Sequence, residues 1–392
     1  MQIRIDSKKT TALVLFGGKS VEHDVSIITG IQMLHALDRE KFNVVPIYIT
    51  KDGQWLMSKD FMNIAIFAQN KVDELSQKVT LSPHDKNLYY IKKHGLKKLF
   101  HVDFVFSALH GGSGENGSMA GYLDVCDLPY SSSSTPSSVL TYDKYLTKLL
   151  CEKVGVAVVD YFILDAGDKS KPIDEILSTK LQDFSFPLIV KPTSLGSSVG
   201  ITFCRDKDAL KDAIDFAFLF CDKVIVETAL ENVRELNLSI FADKNGDLLM
   251  SSTEEVMHTK DFLTFEDKYM ANGKISGSSD RQIPANISNE VEEEIKNMAA
   301  LSYKAMSISG VVRIDYLYDN DSGKLYLNEI NSVPGSLANY LWSNQGYSYK
   351  ALLNKMYDSA MAKYKQEKSL LTHFSSSILT KFSSSGKSGV KK

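Results

Sequence analysis

Cysteine is scarce in this chain: there are four in 392 residues, Cys126, Cys151, Cys204 and Cys221, and no two form a C-x-x-C pair. That spacing speaks against a disulfide framework or a cysteine zinc site, and the four read as reduced core residues of a cytoplasmic protein. An excess of one charge is lacking too. Lys and Arg total 45 against 48 Asp and Glu, a net charge of -3, so there is no global attraction for nucleic acid and any phosphate site must be local. No apolar run approaches a membrane span, and the opening MQIRIDSKKTTALVLF is too short in apolar residues for a signal peptide. A P-loop is also missing. The GKS at Gly18 to Ser20 would need a glycine at Leu13, and the GKS at Gly386 to Ser388 would need one at Lys381.

What is there is an ordinary globular composition, 43% hydrophobic and 24% charged, on a chain too long for one core. Two or three domains are expected. Thr11 to Phe16 is a β-prone run ending in Gly17-Gly18, and Val25, Ile28, Ile31, Leu34 and Leu37 follow at helical spacing. Strand, glycine turn and helix begin a doubly wound α/β domain, in which Glu22 sits beyond the carboxyl end of the strand, where ligands bind. The same position also suits an acid that merely complements a helix dipole. Phe42 to Thr50 adds a strand, whereas Lys51 to Phe100 is irregular apart from a hairpin suggested by Asn87 to Lys93 and His94-Gly95. The strand Val102 to Leu109 delivers HGGSGENGS, where glycines let backbone approach a ligand before a helix begins near Ser118. His110 at that strand end can donate to an anionic oxygen, or can simply be a buried or capping histidine.

SSSSTPSS, Ser131 to Ser138, reads as a polar break between domains, followed by one helix over Leu140 to Val154 carrying Asp143 and Lys144. FPLIVKPTSLGSSVG then gives a strand ended by Lys191 and a loop of glycine and hydroxyl residues through Gly196, Ser197 and Ser198. Small residues there expose N–H groups to phosphate oxygens, and a lysine adds fixed positive charge. A strand at Val224 to Val226 leads to a connector holding Glu227, Ala229, Leu230 and Glu235, where backbone and carboxylate could take adenine and ribose. MHTKDFLTFEDKYMANGK has the mixed, glycine-containing character of a mobile lid, with Lys268 and Tyr269 as its contacts. Asn289 to Ser307 reads as a helix with Val291, Ile295, Met298, Leu301 and Ala305 on one face, and Tyr347 to Lys363 as the last helix of the body. Beyond it, Leu370, Leu371, Phe374, Ile378, Leu379 and Phe382 make a helical stripe. That basic end suits packing on its own domain, on a second subunit or on a membrane surface.

The densest chemistry lies in GVVRIDYLYDNDSGKLYLNEINSVPG, Gly310 to Gly335. Apolar alternation in Val311 to Leu317 and in Leu325 to Ile330, around an Asn-Asp-Ser-Gly turn, predicts a hairpin. Two-residue spacing puts Arg313 with Asp315, and Glu329 with Asn331, on one face. Paired carboxylates so close need a cation, and oxygen-only ligands suit Mg²⁺, which fills its other positions with phosphate and water. A polar hairpin with a surface ion-pair network is the alternative.

LFGGKSVEHDVS, HGGSGENGS, YDKYLTK, FPLIVKPTSLGSSVG, EDKY and LNEINSVPG together, in this order from about Thr11 to about Lys355, closely resemble the D-alanine–D-alanine ligase family of the ATP-grasp superfamily. The resemblance implies an α/β ATP-grasp fold with an N-terminal Rossmann-like domain over residues 1–131. A central domain would follow over 132–230, a C-terminal domain over 231–358, and a tail over 359–392. It implies Glu22 on the first D-alanine's ammonium and His110 near its carboxylate. Lys144 and Lys191 would meet ATP phosphates, with Gly196, Ser197 and Ser198 closing over phosphate and Lys268 on the γ-phosphate. Glu227, Ala229, Leu230 and Glu235 would surround adenine and ribose. Asp315, Glu329 and Asn331 would hold two Mg²⁺, with Mn²⁺ as a substitute. Arg313 and the backbone at Gly335 would hold the tetrahedral oxyanion. Tyr269, linked to Ser197 and Glu22, implies D-alanine rather than D-lactate as acceptor. The chain departs from the family at PGSLANYLW, where Ser336 or Tyr340 takes the place of a serine that holds the second carboxylate. The implied reaction makes D-alanyl-D-alanine for peptidoglycan precursors in a cytoplasmic homodimer. A D-alanyl-D-serine or D-lactate product, or an inactive nucleotide-binding regulator on the same fold, are the alternatives.

Overall fold

The computed structural model describes residues 3–168, 173–196, 199–257, 281–372 and 375–379. Three sheets succeed one another along the chain. In the first, Thr10–Gly17 is buried along nearly its whole length and pairs in parallel with Phe42–Ile49 on one side and Phe104–Ser107 on the other. Strands buried on both faces carry continuous apolar runs, as ALVLF and FNVVPIYI do. The helix His23–Ala36 returns between the first two strands and presses Gly30 on Phe16, where a Cβ would lie 2.4 Å from the Phe16 Cβ.

The region Lys51 to Phe100 contains the expected hairpin, at Asn87–Lys92 and Gly95–His101. It also holds two strands not foreseen, Trp55–Met57 and Gln77–Leu81, which extend the sheet in antiparallel order. They are short, and their apolar residues alternate too briefly to announce a strand.

The second sheet is antiparallel, with Leu188–Pro192 and Lys223–Thr228 at its centre. Lys191 lies within its strand rather than ending it. The third sheet pairs Val233–Ala242 with Glu254–Val256 and with Val312–Asp319, and the last of these with Lys324–Asn331. The hairpin is therefore where the sequence put it. One core joins the first and third sheets: Phe16, Phe42 and Phe106 share a cluster with Phe241, Val333, Trp342 and Leu352. Trp342 is 1% exposed and donates its indole N–H to Ser239 Oγ at 2.9 Å.

Other expectations change. The serine stretch is an interior joint, since Ser131, Ser133, Ser137 and Ser138 are all buried. Ser133 Oγ donates to Ser309 O and Ser137 Oγ to Ser307 O, so the polar break between domains is built from buried hydroxyls satisfied by backbone. The single helix over Leu140 to Val154 is two, Thr135–Tyr142 and Lys144–Lys153, broken at Asp143. The Asp143 carboxylate accepts from Tyr145 and Leu146 N–H, an N-cap that periodicity alone does not reveal. The tail stripe does not form one helix. Tyr349–Lys368 ends at Ser369, and Leu370, Leu371, Ile378 and Leu379 are exposed, while Phe374 and Phe382 lie outside the described residues. Leu301 also faces solvent at 46% exposure, off the apolar face of Asn289–Ala305.

The last helix does pack back on the chain. Tyr357 meets Phe42 and Phe104 edge-on, and Tyr364 donates to Asp127. Among the described residues no helix is long and apolar enough to cross a membrane.

Candidate active site

The hairpin supplies the acids. Asp315 stands opposite Glu329 and Arg313 opposite Asn331. The register then slips between Asp315 and Tyr316, since Tyr316 pairs with Leu327, and Asn328 becomes the extra residue of a bulge. A bulge re-aims a side chain. Here Asn328 reaches out to accept from Lys191 Nζ at 3.2 Å, tying the third sheet to the second. Sequence reasoning missed Asn328, because alternation counts residues and gives no sign of an insertion.

Arg313 grips Asp315 through Nε at 2.6 Å and Nη2 at 2.7 Å, and Asn331 Nδ2 donates to the same carboxylate at 2.9 Å. Burial works against the guanidinium's charge, but Asp315 outweighs it and holds its pKa well above the usual value. The acids continue across the sheet. Asp315 faces Asn237 on the next strand, and Asn237 faces Glu254 on the one beyond, so Glu329, Asp315, Asn237 and Glu254 form one row over four strands. Glu254 is fully buried and accepts from Asn237 Nδ2 at 2.9 Å and Tyr340 OH at 2.7 Å.

Lysines face this row from the second sheet and the helix before it. Lys144 Nζ donates to Leu195 O at 2.6 Å and lies 3.9 Å from Glu329. Lys191 Nζ donates to Glu227 Oε2 at 2.7 Å, and Lys148 Nζ stands 3.2 Å from Glu227 Oε1. Burial pushes the Glu227 carboxyl up, yet the two lysines overcome it and bring it down to about 2. Glu227 therefore sits as a buried counter-ion behind Lys191, 1% exposed, with its carboxylate held by lysines and not turned to a base. Lys148, wholly buried, is a second residue the sequence did not disclose. Nearby, Ala229 N–H donates to Pro187 O, Leu230 is half-buried, and Glu235 is half-buried between Val256 and Leu317.

The first sheet contributes the remaining wall. A Cβ on Gly111 or on Gly196 would lie 2.7 Å from Glu22 Oε2, so this carboxylate is seated between the two glycine loops. That seat requires glycine at both places. His110 is 3% exposed, with Nε2 2.8 Å from Thr29 Oγ1 and Nδ1 3.9 Å from Glu115. Burial lowers its pKa to about 4, which makes it a neutral imidazole. Glu115, not singled out from the sequence, has a pKa raised well above the ordinary carboxylate value, first by burial and then by Glu22. Thr29 Oγ1 also accepts from Ser336 N–H at 3.0 Å, which ties the first helix to the segment after Gly335. A Cβ on Gly335 would meet nothing within 4 Å, so space lies open beside it. Ser336, Leu337 and Ala338 all have φ near +50°, a run of left-handed non-glycine backbone that costs on the order of 1–2 kcal/mol per residue.

Ser197, Ser198, Lys268 and Tyr269 lie outside the described residues. Among the described residues no group of three or more His, Cys, Asp or Glu forms a metal cage. Two carboxylates and a carboxamide are nonetheless the sparse oxygen set that suits Mg²⁺ arriving with phosphate.

The family model described as D-ala D-ala ligase N-terminus matches residues 11–133, and the one described as D-ala D-ala ligase C-terminus matches residues 150–358. The D-alanine–D-alanine ligase of Thermosipho africanus is 36% identical over 356 residues, 91% of this chain and 94% of that protein. That of Caldicellulosiruptor bescii is 33% identical over 374 residues, 92% and 98% of the two chains. Among solved structures, the VanG D-Ala:D-Ser ligase of Enterococcus faecalis matches with a TM-score of 0.75 at 27% identity, covering 90% of this chain and 99% of its own. The D-alanine–D-alanine ligase of Helicobacter pylori matches with a TM-score of 0.71 at 28% identity, covering 90% and 98%. The chain belongs to the D-alanine–D-alanine ligase family and is an enzyme of that ATP-grasp type.

Proposed function

We propose that the protein joins two D-alanines into D-alanyl-D-alanine at the expense of ATP, in the cytoplasm, for peptidoglycan precursors. The observation that carries this reading is the meeting of three walls at one place: the acids Asp315 and Glu329, the lysines Lys144 and Lys191, and the carboxylate of Glu22.

The chemistry follows from charge. A free carboxylate is a poor electrophile, and bringing it to a triphosphate sets anion against anion. Lys144 and Lys191 offset that repulsion with fixed charge, and Lys191 is kept in place by Glu227 and Asn328. Asp315, Glu329 and Asn331 would hold Mg²⁺, which neutralises phosphate oxygens when bound. Glu22, held between Gly111 and Gly196, receives the first D-alanine's ammonium and fixes its carboxylate towards the phosphate. A carboxylate oxygen attacks the γ-phosphorus, ADP leaves, and an acyl phosphate remains. The second amine, as the free base, attacks the acyl carbon. Arg313 and the backbone at Gly335 stabilise the resulting oxyanion, which collapses with loss of inorganic phosphate. His110 stays neutral and orders the first substrate's side of the pocket. Lys268, Ser198, Tyr269 and Ser197, for which the family resemblance implies phosphate contacts and a link to Glu22, lie outside the described residues.

The test is mass spectrometry of products after incubation with ATP, Mg²⁺ and an equimolar mixture of D-alanine, D-serine and D-lactate. D-alanyl-D-alanine with stoichiometric ADP is the expected result. A dominant D-alanyl-D-serine or D-alanyl-D-lactate product would move the acceptor assignment, and nucleotide binding without D-alanine-dependent phosphate release would leave only a regulator.

A further inference from the structure

The acceptor amino acid brings its own carboxylate, and that anion must be held beside Arg313. Three donors of the segment after Gly335 are engaged within the protein. Ser336 N–H goes to Thr29 Oγ1 at 3.0 Å, Leu337 N–H to Pro334 O at 2.8 Å, and Tyr340 OH to Glu254 at 2.7 Å. Arg313 itself is forked on Asp315. The Ser336 N–H and the Tyr340 hydroxyl are thus already committed to partners within the protein.

Arg281 is the cation at that end of the acid row. It lies on the two-residue edge strand Arg281–Gln282, with its side chain 31% exposed. Its guanidinium stacks 4.6 Å over the Tyr340 ring, and Nη1 approaches Glu254 Oε2 only to 3.5 Å. That separation is longer than a charge-assisted hydrogen bond, so the guanidinium keeps donor capacity for a second anion. Glu254, gripped by Asn237 and Tyr340, is fixed and in turn fixes the arginine. Arg281 thus lies against the Tyr340–Glu254 pair, whose charge also acts on Arg313.

Resting on the ligase reading above, we propose that Arg281 holds the acceptor's carboxylate, and that Tyr340 and Glu254 are positioning residues that aim it. The pocket then selects an α-amino acid or α-hydroxy acid bearing a free carboxylate, with amine and carboxylate spanned by Arg313 and Arg281.

The test is steady-state kinetics with the first D-alanine site saturated. Arg281→Met should raise the acceptor KM by about 10- to 100-fold, the loss of one hydrogen bond to a charged group, with the ATP KM unchanged. Arg281→Lys should recover part of that loss. Tyr340→Phe, which keeps the stacked ring and removes only the tie to Glu254, should raise the same KM by a smaller factor. Ethylamine, an acceptor without a carboxylate, should react equally slowly with parent and Arg281→Met enzymes. An acceptor KM within twofold of the parent in Arg281→Met, or a rise shared equally by ATP, would overturn the assignment. Dipeptide formation by the unaltered chain tests the ligase reading separately, so the two failures are distinguishable.

Discussion

Two ionic clusters face each other across the cleft, and they are built on opposite plans. On the second sheet and the helix before it, Glu227, Lys191 and Lys148 are all buried, with one carboxylate between two ammonium groups. On the third sheet, Glu329, Asp315 and Glu254 run in a row with acids in excess, and the Asp315 and Glu329 side chains keep 14% and 30% exposure. The first is closed around its own counter-ion and can offer net positive charge to an incoming anion. The second is more open, and its acids meet cations from several elements: Arg313 on Asp315, Lys144 near Glu329 and Arg281 near Glu254. The difference teaches which acids are ligands and which are supports. Glu227 supports a lysine, whereas Glu329 and Asp315 are placed to meet something from outside.

Substitution can break that contrast. Glu329→Gln removes a charge from the open row but leaves Lys144 its hydrogen bond to Leu195 O, so turnover should vanish while the thermal midpoint stays within a few degrees. Turnover near the parent's would remove the metal assignment. Lys148→Met does the reverse. It leaves Glu227 with one lysine in the closed cluster, and loss of a buried ion's partner costs about 3–5 kcal/mol of stability; a chemical denaturation midpoint checks this. Arg313→Met should cost about 3 kcal/mol of barrier, read as kcat/KM, with ATP KM little changed.

Protonation sharpens the same contrast. The His110 pKa falls from 6.5 to about 4 on folding. Between these values the unfolded chain binds the extra proton, so stability is complete above about pH 6.5 and declines as pH drops towards 4. The loss is roughly 3 kcal/mol, and His110→Gln should flatten that part of the curve. The smallest effect belongs outside both clusters: Leu371→Ser, 98% exposed, should change neither stability nor activity measurably.

Much of this was legible beforehand because hairpins and glycine loops write themselves in local spacing. Arg313, Asp315, Glu329 and Asn331 share a face by two-residue alternation, and Glu22 follows a strand and a glycine turn. What stayed hidden depends on partners distant in the chain. Asn328 acts through a bulge, Glu254 through a strand 61 residues before Asp315 in number, and Lys148, on a helix, through a carboxylate on the second sheet. The serines at 131–138 read only as a polar break because their burial is created by Ser307, Ser309 and Gly310. Short strands such as Trp55–Met57 need a neighbour to exist at all.

The central claim is that ATP activates the first D-alanine's carboxylate as an acyl phosphate, and oxygen labelling tests it most directly. With D-alanine carrying ¹⁸O in its carboxylate, the account requires one labelled oxygen in the inorganic phosphate for each dipeptide formed. Dipeptide accompanied by unlabelled phosphate, or by AMP and pyrophosphate, would contradict it.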